Sequence, residues 1–283
     1  MKAVLLGYHA HHVVGDDYAR NDHLAFPADL ELIANAGWRI VPLVELIAAV
    51  VARGGGGADR LDAPAAKLVA LTFDDGPVYD AEDFVHPSFG PQRSFLNAMR
   101  DFHDRHGARA QPALHATSFV IASPAARAAM ETSFDREYTW LAPGALNEEW
   151  WSAAADTGLL AIANHSWDHL HPALPTVAHS ADARGDFSRV ETFADADRQI
   201  LRAQSYIAER TDGRAAPVFA YPFGHYNAFL AGRYFPARAR FGFVGAVTAD
   251  PGRVDPAAGP WRLARYVCGH HWRTPDELAA ILA

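Results

Sequence analysis

Leu71-Thr72-Phe73-Asp74-Asp75-Gly76-Pro77 is the stretch on which the reading of this chain turns. The residues leading into it, Lys67-Leu68-Val69-Ala70-Leu71, end in an apolar, partly β-branched run that reads as a buried strand. Gly76-Pro77 breaks that run. Two adjacent carboxylates therefore sit where a strand gives way to a loop. Alternation along a strand points neighbouring side chains in opposite directions, but a strand end can turn both toward one mouth. Carboxylates placed in this way can divide labour, one binding a cation and the other accepting a proton. An ordinary Asp-Asp-Gly-Pro turn with solvated acids competes with that reading, and this stretch alone leaves both open.

A second stretch adds imidazoles. Asn164-His165-Ser166-Trp167-Asp168-His169-Leu170-His171-Pro172 follows the apolar run Leu159-Leu160-Ala161-Ile162-Ala163, another short buried strand. His165 and His169 are four residues apart, so one helical turn would place both on one face. Two imidazoles and one carboxylate make a three-ligand divalent site with open positions for water and substrate. The zincin pattern is excluded, because it needs Glu directly after the first His and Ser166 stands there.

Thr72-Phe73-Asp74-Asp75-Gly76 and His165-Ser166-Trp167-Asp168-His169 resemble the first two motifs of the NodB-homology polysaccharide deacetylases, carbohydrate esterase family 4. The resemblance implies a distorted (β/α)7 barrel and a metal-dependent hydrolase that removes N- or O-acyl groups, usually acetyl from N-acetylglucosamine units. It also implies that Asp74 is the general base and that Asp75, His165 and His169 hold one divalent metal. Zinc suits a His₂Asp set, and other divalent ions are compatible with it.

Further segments extend the likeness. Leu6-Gly7-Tyr8-His9 resembles the fifth motif, Leu-x-His, with Tyr8 as an extra residue, which makes His9 the candidate general acid. That strand comes first here, and with Gly37-Trp38-Arg39-Ile40-Val41-Pro42-Leu43 it resembles the opening of a circularly permuted branch. Pro217-Val218-Phe219-Ala220-Tyr221-Pro222-Phe223-Gly224 resembles the third motif, Arg-x-Pro-Tyr/Phe-Gly. Ala220 replaces the Arg that orients the base in the family, and Arg265 is the candidate substitute, since an Arg can hold a carboxylate through two hydrogen bonds. The backbone N–H of Phe223 is the candidate oxyanion donor. Tyr221 and Trp167 are the candidate substrate walls. His270, in Cys268-Gly269-His270-His271-Trp272, is the second candidate acid, and Asp250 matches the fourth-motif Asp poorly.

Composition sets the frame. The 283 residues are 50% hydrophobic, enough for a large core in one α/β domain spanning 1–283. A net charge of −8 argues against nucleic acid and anionic membrane as partners. No apolar run is long enough for a membrane span, and the start of the chain reads as a strand rather than a signal peptide, which gives a cytoplasmic expectation. The single Cys268 excludes an internal disulfide.

Helices are expected over 26–36, 43–52, 94–106, 124–130, 147–157 and 191–210, and strands over 3–8, 38–41, 113–121 and 241–247. Gly54-Gly55-Gly56-Gly57 reads as a flexible linker with no phosphate-loop Lys after it. Residues 78–92 read as a lid or insertion loop.

The expected function is hydrolysis of an N-acyl, foremost N-acetyl, group from an amino-sugar or polysaccharide. The rivals are a small-molecule amidase or deformylase of the same superfamily, a non-catalytic glycan-binding protein, and a non-haem iron oxygenase. A pocket closed by 78–92 would favour the small-molecule enzyme. The oxygenase is disfavoured because its His-x-Asp/Glu pairing is absent among the candidate ligands.

Overall fold

Two apolar strand runs build the centre of the molecule. In the computed structural model, which describes residues 1–54, 66–132 and 140–283, Lys2–His9 forms β1 and Lys67–Asp74 forms β3, paired in parallel from end to end. Arg39–Ile40 (β2) lies against β3, and Phe84–His86 (β4) and Gly90–Gln92 (β5) form a separate antiparallel hairpin. Ala116–Val120 (β6), Leu160–Asn164 (β7), Val218–Ala220 (β8), Gly245–Val247 (β9) and Tyr266–Val267 (β10) complete the strands. Among the described residues the main parallel path runs β10-β1-β3-β6-β7-β8-β9, seven strands as expected. Leu263 bridges Val247 of β9, and Tyr266 then pairs with Leu6 of β1. The segment 263–267 thus closes the curled sheet into a barrel.

Strand alternation sorts the core. Val4, Leu6 and Tyr8 of β1 and Val69, Leu71 and Phe73 of β3 pack outward against Phe26, Leu30, Phe95 and Met99 from the surrounding helices. Ala3 and Leu5, with Leu68 and Ala70, turn the other way and meet Phe119, Ala163, Ala220 and Val247. By the same parity Gly7, His9, Thr72 and Asp74 face the barrel interior at its C-terminal mouth. Both faces of these strands are covered, which is why their sequences read as continuous apolar runs.

The helices are α1 (Asp22–Asn35), α2 (Leu43–Gly54), α3 (Phe95–His106), α4 (Pro124–Glu131), α5 (Trp151–Asp156), α6 (Phe193–Ala196), α7 (Arg202–Arg210), α8 (Phe235–Arg238) and α9 (Pro275–Leu282). Ser94 and Ser123 cap α3 and α4 by accepting from Asn97 N and Ala126 N. Thr274 caps α9 likewise, but Glu277 reaches back to the N–H of Arg273 rather than that of Thr274.

Several boundaries differ from the sequence reading. The helix over 147–157 begins only at Trp151, because Asn147 spends its side chain on a turn, accepting from Glu149 N. The long helix over 191–210 starts at Phe193 and widens into a π turn over 197–201 between α6 and α7. The strand over 241–247 shrinks to β9, since Gly242 is left-handed at φ 99°. Residues 78–92 fold into a short 3₁₀ turn and the β4–β5 hairpin. Gly55 to Gly57 of the glycine run lie outside the described residues. Among the described residues, no helix is long and apolar enough to cross a membrane.

Candidate active site

The interior-facing ends of β1 and β3 open into a cavity of about 320 Å³. His9 and Asp74 are register partners at those ends. Alternation would send Asp75 outward, but its φ of 71° turns its carboxylate into the same mouth. Gly76 must follow without a side chain: its φ is 65°, and an added Cβ would lie 2.5 Å from Val120 Cγ1.

The second motif reaches the cavity differently from the helical turn expected of it. Residues 165–169 form a loop, with Ser166 and His169 left-handed at φ 73° and 60°. Three side chains hold that loop. Asn164 Oδ1 accepts from Ser166 N (2.8 Å), and Ser166 Oγ accepts from His169 N (2.9 Å). Asp168 accepts from Leu170 N, Ala178 N and Gln199 Nε2. Among the described non-glycine residues with positive φ, all but Asp212 belong to loops at this mouth: Asp75, Ser166, His169, Leu170 and Phe223. Such backbone costs energy and persists where the surroundings over-determine it, commonly at functional sites.

Asp75, His165 and His169 come together. Their donor atoms lie within 4.8 Å of one another, and all three residues are buried. His165 Nε2 and His169 Nε2 face the same oxygen, Oδ1 of Asp75, at 3.5 and 3.6 Å. His165 Nδ1 donates to the Ala220 carbonyl (3.0 Å), which leaves Nε2 as the nitrogen that faces Asp75. Imidazole ligates a cation through such a nitrogen, and a carboxylate oxygen facing it supplies a second ligand atom to the same ion. Burial, with the adjacent His165, pushes the His169 imidazole down to about 3 and keeps it neutral. Burial raises the Asp75 carboxyl, while the facing His169, His11 and His165, which attract it only in their protonated form, pull it below the usual range. Two imidazoles with one carboxylate oxygen fit a divalent ion.

Asp74 sits beside this set in a different environment. Arg265 Nη1 and Nη2 donate to its Oδ1 (2.7 Å) and Oδ2 (2.6 Å). Arg265 Nη1 also donates to Thr72 Oγ1 and Nε to the Thr248 carbonyl, so the fork is fixed. The guanidinium is 1% exposed and lies beneath Gly7, where a Cβ would come within 3.4 Å of Arg265 Cδ and Nε. Burial raises the Asp74 carboxyl, and Arg265 with His165 and His9 overrides it, to a value of about 2. Ala220 accordingly packs in the apolar interior, and the guanidinium enters from the closing segment of the barrel instead.

His9 Nε2 lies 3.9 Å from Asp74 Oδ2, and burial lowers its imidazole below the ordinary value. Phe223 lines the cavity with its ring 4.3 Å from that of His169. His270 lines it too, at the exposed rim. Two expected walls are elsewhere. Tyr221 is fully buried and donates to the Trp261 carbonyl, and Trp167 is covered by the Arg202 guanidinium, 3.5 Å from its ring centre. Asp250 accepts from Tyr226 OH and does not line the cavity. His11 and His171 line the cavity without having been assigned a part from sequence. The only signal for His11 was the cluster His9, His11 and His12 past a strand end.

The mouth of the parallel α/β barrel thus gathers a buried carboxylate with two imidazoles beside a second carboxylate held by a guanidinium. The polysaccharide deacetylase family model matches residues 62–233, well over half of the chain. The chain belongs to the polysaccharide deacetylase family. β1 precedes the matched residues yet sits between β3 and β10, the placement a circular permutation gives. No curated protein matches the chain. Solved structures share its fold. Streptococcus pyogenes deacetylase PplD, solved in complex with acetate, has a TM-score of 0.61 and 19% identity over 100% of this chain and 99% of its own. IcaB from Ammonifex degensii has 0.62 and 19% over 99% and 97%. The BpsB deacetylase domain from Bordetella bronchiseptica has 0.55 and 15% over 94% and 96%.

Proposed function

We propose that this chain hydrolyses an N-acyl group, foremost N-acetyl, from an amino-sugar unit of a saccharide, with a divalent cation held by Asp75, His165 and His169. The observation that carries the reading is the division of the two motif carboxylates within one cavity. Asp75 faces two imidazole nitrogens, and Asp74 lies in the fork of Arg265. Membership of the deacetylase family and the acetate in the PplD structure support acetyl as the group removed.

The chemistry follows from charge. An amide carbonyl is a poor electrophile and water at neutral pH a poor nucleophile. A divalent ion at this site, zinc first among the candidates, supplies Lewis acidity that polarises the acyl oxygen and lowers the pKa of water toward ~7. Asp74 accepts the proton of the attacking water. Each of its oxygens keeps a lone pair beyond the one Arg265 uses, so the fork orients the base without blocking it. The Phe223 backbone N–H donates to the oxyanion that forms at the acyl carbon. His9 donates a proton to the amine nitrogen as the C–N bond breaks.

None of residues 78–92 lines the cavity. The closed pocket that would favour a small-molecule amidase therefore gains nothing from the segment expected to close it. The test is acetate release from N-acetylglucosamine oligomers, abolished by chelation and restored by zinc. Full activity after rigorous chelation would overturn the cation, and inactivity on every acetylated amino sugar would overturn the substrate class.

A further inference from the structure

The two oxygens of Asp75 face different partners. Oδ1 faces His165 and His169, while Oδ2 lies 3.6 Å from Nδ1 of His11. That distance is an electrostatic contact, longer than a hydrogen bond. His11 and Asp75 are each 5% exposed, so both partners of this contact are buried. The backbone of His11 is anchored as well: its carbonyl accepts from Val13 N (2.9 Å) and from the Trp140 indole (3.2 Å). His11 thus has an anchored backbone and faces the carboxylate oxygen that the two imidazoles do not.

We propose that His11 is a positioning residue of the cation site, presenting an Nδ1–H to Oδ2 of Asp75 so that Oδ1 alone is offered to the ion. The inference rests on the cation reading above and adds a residue to it. A carboxylate engaged at one oxygen by a fixed donor loses rotational freedom. It binds as a single-oxygen ligand, leaving more of the ion open to water and an acyl oxygen. Outer partners of this kind typically govern metal affinity by 10–100-fold.

The test uses two substitutions of nearly equal shape, His11→Asn and His11→Leu, which differ in the presence of an amide donor. Zinc affinity is measured by competition with a chromophoric chelator, and the cobalt-loaded proteins are compared by visible absorption. The melting of the metal-free proteins controls for folding. We expect His11→Leu to bind zinc ~10–100-fold more weakly than wild type with an altered cobalt spectrum, and His11→Asn to recover most of the affinity and the wild-type spectrum. Equal affinity in the two variants, whether wild-type or weakened, would overturn the role of the donor while leaving the three-ligand site intact. A wild type that takes up neither zinc nor cobalt would overturn the cation site itself, and this inference with it.

Discussion

Arg265 and Asp74 meet through two parallel hydrogen bonds although 191 residues separate them in sequence. The pair joins the segment that closes the barrel to the strand that carries the first motif. Removing the guanidinium strands a buried carboxylate and frees it to rotate. Arg265→Ala should lower kcat/KM by ~10²-fold through misplacement of the base and cost ~3–5 kcal/mol of stability. Arg265→Lys should recover little of the rate, because an ammonium cannot make the fork. Steady-state kinetics with urea unfolding check both, and wild-type kcat/KM in Arg265→Ala would refute the orienting role.

Asp74 links the site to acid stability. Its carboxyl in the fold lies at about 2, below its ordinary value of 3.8. A group depressed on folding contributes stability that is present above its unfolded value and lost as pH falls through its folded one. Wild type should therefore lose stability between about pH 4 and pH 2 more steeply than Asp74→Asn. Urea midpoints across that range read the difference. The same variant should bind metal normally and turn over no substrate; metal loss would instead make Asp74 a ligand.

His9 and His270 both line the cavity, but His9 is the one close to Asp74. His9→Ala should reduce kcat by ~10²–10⁴-fold with metal content unchanged. His270→Ala, at the exposed rim, should stay near wild type. The reverse ranking would transfer the acid role to His270.

Gly76→Ala tests the backbone that turns Asp75 inward. The added methyl meets Val120 at 2.5 Å in a left-handed conformation, so destabilisation of ~1–3 kcal/mol or more is expected, with weakened metal binding. A melting temperature equal to wild type would show that the turn tolerates a Cβ.

The sequence made some of this legible and concealed the rest for physical reasons. Asp74, Asp75, His165 and His169 were readable because each follows an apolar run at a strand end. Arg265 was readable only as a candidate, since nothing local ties it to β3; the contact exists because 263–267 closes the ring. The sharing of one face by His165 and His169 was right in outcome and wrong in cause, as left-handed residues rather than a helical turn bring them together. Tyr221 and Trp167 were drawn to the cavity by motif position. Their side chains instead satisfy the Trp261 carbonyl and a covering Arg202. Which aromatic residues of a motif face inward depends on packing that spacing alone does not encode.

The most direct measurement is elemental analysis of purified wild type and Asp75→Ala, with acetate release from N-acetylglucosamine oligomers assayed on the same samples. Roughly one divalent metal per chain in wild type, its loss in the variant, and acetate from wild type alone are expected. A metal-free wild type after careful repletion, or a variant that keeps both metal and activity, would contradict the metal site.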